Sequence, residues 1–202
     1  LPMKRVFYKI SSAGTLGEID CGVNPEPLED LLVDQMRAAT EEQRLSDKRA
    51  MQLYGLLNDK CARAYRNGNQ SDIPNTTWTV VQLNAENYDP GNNFDTGTYK
   101  FVVPVTGYYL ITGQVKALTD IVADKRLFAG IYGGSDGSVL LAQGNVHSSH
   151  TGTLIATVTT PQKLTAGDQI FLKVYHDFGN STMDLEGLSS TTFMSVHLFA
   201  ID

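Results

Sequence analysis

The sequence predicts a mainly β protein: a β-sandwich preceded by an N-terminal α-helix and a short extended segment. Three observations predict it. Helical patterning is confined to one stretch near the start, the remainder reads as short strands, and Gly, Asn and Asp turn signals separate those strands at regular intervals. With 202 residues and 42% apolar content, the chain has material for one good-sized domain and an appendage.

Residues 1–23 read as an extended anchoring segment. Val6, Tyr8 and Ile10 alternate with Phe7 and Lys9 as a short strand would, and Ser11, Ser12, Ala13, Gly14 and Gly17 supply turn chemistry. Such a strand is built to pair with something. Residues 24–60 read as a helix or stalk: Asn24 is a cap, Pro25 and Pro27 fit a first turn, and Glu26, Glu29 and Asp30 suit the positive end of the helix dipole. The anchoring positions are Leu28, Leu31, Leu32 and Met36 near one end and Leu53, Leu56 and Leu57 near the other. Between them, residues 40–44 and 46–49 are mostly polar, which breaks the apolar stripe and argues against a long, regular coiled coil. The helix is either a trimerising stalk or docking peg, or it packs on its own β domain. Its length favours the first, because a small sandwich offers little surface for so long a helix to bury against.

Residues 61–202 form the β domain. Strands are expected over residues 77–83, 98–103, 108–117, 126–132, 139–143, 153–160, 169–175 and 192–201, separated by turn signals such as Asn92-Asn93, Gly133-Gly134, Asp136-Gly137 and Ala166-Gly167-Asp168. Two of these strands are apolar on both faces. Along residues 169–176, Ile170, Leu172 and Val174 oppose Phe171 and Tyr175; in the last strand Met194, Val196 and Leu198 oppose Phe193, Phe199 and Ile201. A lone sandwich needs only its inner faces dry, so the second faces call for a partner, most economically a closed homo-oligomer.

One stretch carries a more specific signal: Leu83, Asp89, Phe94, Phe101, Gly107, Tyr109 and Ile111 follow one another at characteristic spacing. This resembles the signature of the C1q domains, which spaces a Phe, an Asn or Asp, an aromatic, a Phe and then Gly-x-Tyr-x-Phe. Leu83 and Ile111 keep apolar bulk where the signature has Phe. Residues 164–174 and Ser190-Thr191-Thr192-Phe193 also look like the family's last two strands, so the resemblance covers residues 61–202. The residues themselves are consistent with it: Leu83, Phe94, Phe101, Tyr109 and Ile111 suit a sandwich core, and Gly107 follows Pro104 in a turn.

The resemblance implies a C1q/TNF-like jelly roll of two antiparallel sheets, tight trimers around an apolar axis, and ligand binding by exposed loops. Tyr108, Phe171, Tyr175, Phe193 and Phe199 are the candidate inter-subunit contacts, chosen by face. The head and helix carry no such resemblance, and no Gly-X-Y repeat precedes the domain. The layout is similar to phage and bacterial surface appendages, in which the N-terminus anchors and a trimeric knob projects. The expected function is therefore a non-catalytic homotrimeric protein of a virion or extracellular surface: a head fibre, capsid decoration or tail fibre that displays the knob to a cell-surface glycan or protein. The alternative is a free lectin-like module in which the loops at residues 133–134 and 177–187 carry specificity. A TNF-like signalling ligand shares the fold, but the start of the chain has basic residues without a following apolar region, so export by the usual route is not expected.

Chemistry is sparse. No nucleophile elbow, phosphate loop, metalloprotease helix or paired cysteine ligands occurs, so no enzyme is expected. A net charge of −6 with interspersed signs gives no footprint for nucleic acid, and no apolar run is long enough for membrane insertion. Cys21 and Cys61 match no zinc or redox spacing and are expected as thiols. His147 and His150 read as polar loop histidines rather than metal ligands, and His176 and His197 as hydrogen-bonded residues at a subunit contact. No cofactor and no metal is expected. Calcium would have to use the acidic loops at Asp89, Asp95, Asp120, Asp124, Asp136 and Asp177, which lack calcium-loop spacing and read as turn residues. The sequons at Asn75 and Asn180 read as chance matches in polar turns.

Overall fold

A computed structural model of the chain describes residues 7–10, 16–19, 26–118, 123–179 and 182–202, and within them the side chains of residues 33–49, 55 and 59 onward. Residues 1–52 and 53–202 form two compact units. In the first, β1 (Phe7–Ile10) and β2 (Leu16–Ile19) pair as an antiparallel hairpin with Phe7 opposite Ile19. The expected N-terminal strand thus finds its partner in the same chain, and Gly17 sits in β2 opposite Lys9 rather than in a turn. The helix α1 (Glu26–Asn58) runs 33 residues and begins with acidic residues at its positive end. Asn24, the expected cap, lies outside the described residues, as do the side chains of Leu28, Leu31, Leu32, Leu53, Leu56 and Leu57.

The sandwich is built from β3 (Cys61–Tyr65), β4 (Gln70–Pro74), β5 (Thr79–Val80), β6 (Ala85–Tyr88), β7 (Phe94–Asp95), β8 (Lys100–Val102), β9 (Gly107–Lys116), β10 (Arg126–Gly133), β11 (Val139–His147), β12 (Ile155–Leu164), β13 (Gln169–His176), β14 (Thr182–Leu185) and β15 (Phe193–Ile201). One sheet has the order β12-β9-β15-β3-β6. The other runs β11-β10-β13-β8-β7, with β5 beside β8 along the same edge of β13, and β14 pairs β4 as a separate ribbon. Every pairing is antiparallel, and the first and last sandwich strands, β3 and β15, are neighbours, as a jelly roll requires.

The core follows the two-residue period of the strands. Tyr109, Ile111 and Val115 of β9, Met194, Val196 and Leu198 of β15, and Ala156 and Val158 of β12 point inward from the five-stranded sheet. Leu127, Ala129 and Ile131 of β10 and Ile170, Leu172 and Val174 of β13 meet them from the other. Leu83, Phe94, Phe101, Tyr109 and Ile111 are all buried here. Phe101 and Tyr109 join the two sheets edge to face at 6.3 Å, and the Tyr109 hydroxyl donates to the Val105 carbonyl at 2.7 Å, so its one polar atom is satisfied inside the core. Gly107 lies within β9, where an added Cβ would come 2.5 Å from the Ala200 carbonyl; the glycine answers close cross-strand approach rather than a turn.

Several strands depart from the expected boundaries for identifiable reasons. β12 continues through Pro161 because it is the edge strand of its sheet, where a missing N–H costs no ladder bond. The strand expected over residues 77–83 shrinks to Thr79–Val80, because Leu83 N–H turns back onto the Val81 carbonyl. The short strands β3, β4, β6, β7 and β14 have too little alternation to be read from the sequence.

His176 is buried completely within the chain rather than at a subunit contact. Its Nε2 is 2.9 Å from the Ile73 carbonyl, which can only accept, so Nε2 carries the proton. Burial holds its pKa below the usual histidine value. A lowered folded-state pKa means that the unfolded chain binds the proton more readily. The stability contributed is complete above about pH 6.5, the unfolded value, and drains away below it. Urea unfolding at pH 7.5 and 5.5 is expected to show lower stability at the acid end, with a slope of up to ~1.4 kcal/mol per pH unit per proton. The acid loss is expected to be smaller in His176→Gln; an undiminished loss would assign it to other groups.

Candidate functional site

Each sheet has an outward face, and the chain treats the two differently. On the six-stranded sheet, Phe128, Tyr132, Phe171, Lys173 and Tyr175 point outward. Trp78, carried across the face by the segment before β5, packs against Tyr132 at 5.4 Å, Tyr175 at 5.5 Å and Phe128 at 6.3 Å. Gly130 makes room for it: an added Cβ would lie 2.7 Å from the indole. The Lys173 ammonium sits 4.1 Å over the Tyr132 ring, and the turn at Gly137 closes over Phe171. The aromatic second face of β13 is therefore covered in part by its own chain.

The outward face of the five-stranded sheet has no such cover among the described residues. Tyr108 and Leu110 of β9, Phe199 of β15 and Tyr88 of β6 are exposed, Phe199 by 55%, while Ile201, beyond the bulge in β15, falls opposite Gly107 in the phase of the inner face. Register explains the cluster. His197 lies opposite both Leu110 and Cys61, Ala200 lies opposite Tyr108, and a bulge between Leu198 and Ala200 turns Phe199 outward to within 6.3 Å of the Tyr108 ring. The rim is polar: Lys163 and Asp202 pair at 2.7 Å beside Tyr108, and Thr112 meets Thr159 at 3.2 Å. At the far end the Arg63 guanidinium lies 4.1 Å over the Phe193 ring and donates to the Ser189 carbonyl, so Phe193 is partly covered from within.

Toward the β6 edge of this face is an open depression of about 580 Å³ lined by Cys61, Tyr88, Asp89, Pro90 and His197. The Tyr88 hydroxyl and His197 Nε2 are hydrogen-bonded at 2.8 Å. Burial pushes the Cys61 thiol up, with the Asp89 and Asp59 charges adding to it, and burial pushes His197 down. An activated thiol needs the opposite arrangement, a lowered thiol pKa beside a protonated imidazole. The cluster packs and hydrogen-bonds; it does not present a nucleophile.

The five residues expected at inter-subunit contacts divide between the faces. Tyr108, Phe193 and Phe199 share the five-stranded sheet, whereas Phe171 and Tyr175 lie on the other sheet under their own chain. Leu110 and Tyr88 are exposed beside the first three, and the alternation of Tyr108 and Leu110 with buried Tyr109 and Ile111 carries the sequence signal for Leu110. Of the acidic loop residues, Asp89 accepts from the Asn93 and Phe94 N–H groups, Asp95 from Gly97 and Thr98, Asp136 from Ser138, and Asp177 pairs with Arg126 at 2.7 Å. Asp120 lies outside the described residues, as do Cys21 and the sequon at Asn180. Among the described residues no three His, Cys, Asp or Glu side chains come together as a metal site.

The family model of the C1q domain matches residues 64–198, from β3 to β15. The chain belongs to the C1q domain family. No curated relative matches it in sequence. Among solved structures, its C1q domain is similar to the globular domain of zebrafish complement 1qA at 16% identity and TM-score 0.53, covering 71% of this chain and 99% of that one. It is similar to the Eiger TNF of S. frugiperda at 15% identity and TM-score 0.55, covering 70% and 93%, and to murine APRIL at 16% and 0.54, covering 69% and 98%. At these identities the likeness is one of fold, and it spans the sandwich without the head.

With its pKa raised and its ring of neighbours in place, the Cys61 thiol of this C1q domain is expected to react with iodoacetamide at pH 7 at least tenfold more slowly than in urea-unfolded chain. Peptide mass mapping distinguishes it from Cys21. Equal rates in the two states would contradict the packed arrangement at β3.

Proposed function

We propose that the protein is a non-catalytic homotrimeric structural and binding protein, an appendage of a virion or other extracellular surface. Residues 1–23 anchor it, residues 24–60 form the stalk, and residues 61–202 are the displayed knob, which engages a glycan or protein of an opposing surface. One observation carries this reading: the exposed apolar side chains on the outward face of the five-stranded sheet, Tyr88, Tyr108, Leu110 and Phe199. An apolar patch of this kind on a soluble domain marks an interaction surface, and closed association of identical chains covers it on every copy. C1q and TNF-like domains are typically trimeric and bind partners, which supports three copies. Tyr108 and Phe199 then belong to the contact with Phe193 at its rim, while Phe171 and Tyr175 serve their own chain.

The anchoring half of the proposal is supported by layout: a hairpin and a long helix precede the knob, with no collagen-like repeat. Leu110→Glu places a charge in the proposed contact without touching the core. Light scattering is expected to read three times the chain mass for the parent and one chain mass for the variant, with an unchanged far-ultraviolet spectrum. A variant that remains trimeric would overturn this face as the contact. Removing residues 1–60 is expected to leave a folded knob that no longer joins its parent particle, and incorporation of the shortened protein would overturn the anchoring role.

A further inference from the structure

We propose that α1 associates with the same helix of two further copies as a parallel three-helix bundle in a single register, with Gln43 and Ser46 as an uncharged polar layer at its middle. This rests on the trimer proposed above and names the partner of the stalk. The apolar stripe breaks in the middle of the helix, but the spacing does not. Leu32, Met36 and Ala39, then Gln43 and Ser46, then Ala50, Leu53 and Leu57 follow at alternating intervals of four and three, the a and d positions of a heptad. Between Leu32 and Leu57 the chain carries eight charged residues, from Asp34 to Arg49, and none falls on this seam. The middle of the helix is its most charged stretch, yet the two seam positions there are the ones without charge.

The structure agrees on what the seam lacks. Each described helix side chain from Val33 to Arg49 is exposed, and Met36, a seam residue, is exposed by 64%. The ion pairs along it, Arg37 with Asp34 and Arg44 with Glu41, lie off the seam and run within the helix. A helix of this length without a packed face draws little stability from propensity alone, so an apolar seam calls for an occupant.

The occupant follows from where the helix ends. α1 stops at Asn58 and β3 begins at Cys61, on the face through which three copies are proposed to meet. The two residues between are held firmly. The Asp59 carbonyl accepts from Asn93 Nδ2 at 2.7 Å, Gly91 approaches so closely that a Cβ would lie 1.9 Å from that carbonyl, and the Lys60 carbonyl accepts from Leu198 N–H. Threefold symmetry of the sandwich gives three identical helices that all run in the same sense, so the bundle they form is parallel. A buried amide layer costs stability relative to an apolar one and fixes register in exchange.

The test uses the full chain. Ala39→Cys puts a thiol on the seam and Glu41→Cys puts one on the opposite side of the helix, with the parent, carrying Cys21 and Cys61, as background. Under mild oxidation the seam variant is expected to form covalent dimer about tenfold faster than the outer variant, as thiols facing one another across a bundle do. Gln43→Leu is expected to raise the melting temperature of the trimer by replacing the polar layer. Equal cross-linking of the two variants, or no gain from Gln43→Leu, in a chain that scatters as a trimer would overturn the bundle and leave the proposed function standing. A parent chain that scatters as a monomer would overturn both.

Discussion

A β-sheet has two faces, and a sandwich of two sheets can dry only the inner ones. Both sheets of this domain carry aromatic or aliphatic residues on the outer face as well, and the rest of the structure depends on how each surplus is covered. The six-stranded sheet solves the problem locally: Trp78 lies across Gly130 and gathers Phe128, Tyr132 and Tyr175 around it. The five-stranded sheet has no such strap among its described neighbours, and Tyr108, Leu110 and Phe199 remain in water. The asymmetry between the sheets, rather than overall hydrophobicity, singles out one surface for association.

The polar groups of the domain are spent on holding the fold. The Asp89, Asp95 and Asp136 carboxylates cap backbone N–H groups in turns, Asp177 is tied to Arg126, and His176 is buried between the Ile73 carbonyl and the Phe178 ring. Cys61 and His197 face each other across two strands, but burial shifts both away from reactive forms.

Much of the fold was legible because strand periodicity is local. The two-residue period puts Tyr109 and Ile111 on one face and Tyr108 and Leu110 on the other, and the Gly-x-Tyr spacing of Gly107 and Tyr109 marks the first pair as the inward one. The destinations of Phe171 and Tyr175 were not legible in the same way. Their covers, the Gly137 turn over Phe171 and Trp78 against Tyr175, come from segments remote in the chain, and no pattern within residues 169–176 reveals them. The same holds for His176, whose partner Ile73 belongs to the β4 ribbon, and for β3 and β6, whose short sequences lack an apolar–polar period and become strands by pairing with β15 and with each other. Leu110 shares the outward phase of Tyr108, so its place on this face is carried by the local period.

The most direct test of the central claim, that the five-stranded face joins copies of the sandwich, is sedimentation equilibrium on residues 61–202 alone, without the helix. The account predicts a trimer that persists on dilution to low micromolar concentration. A monomer would contradict it, because the exposed face of β9 and β15 would then be stable in water without a partner.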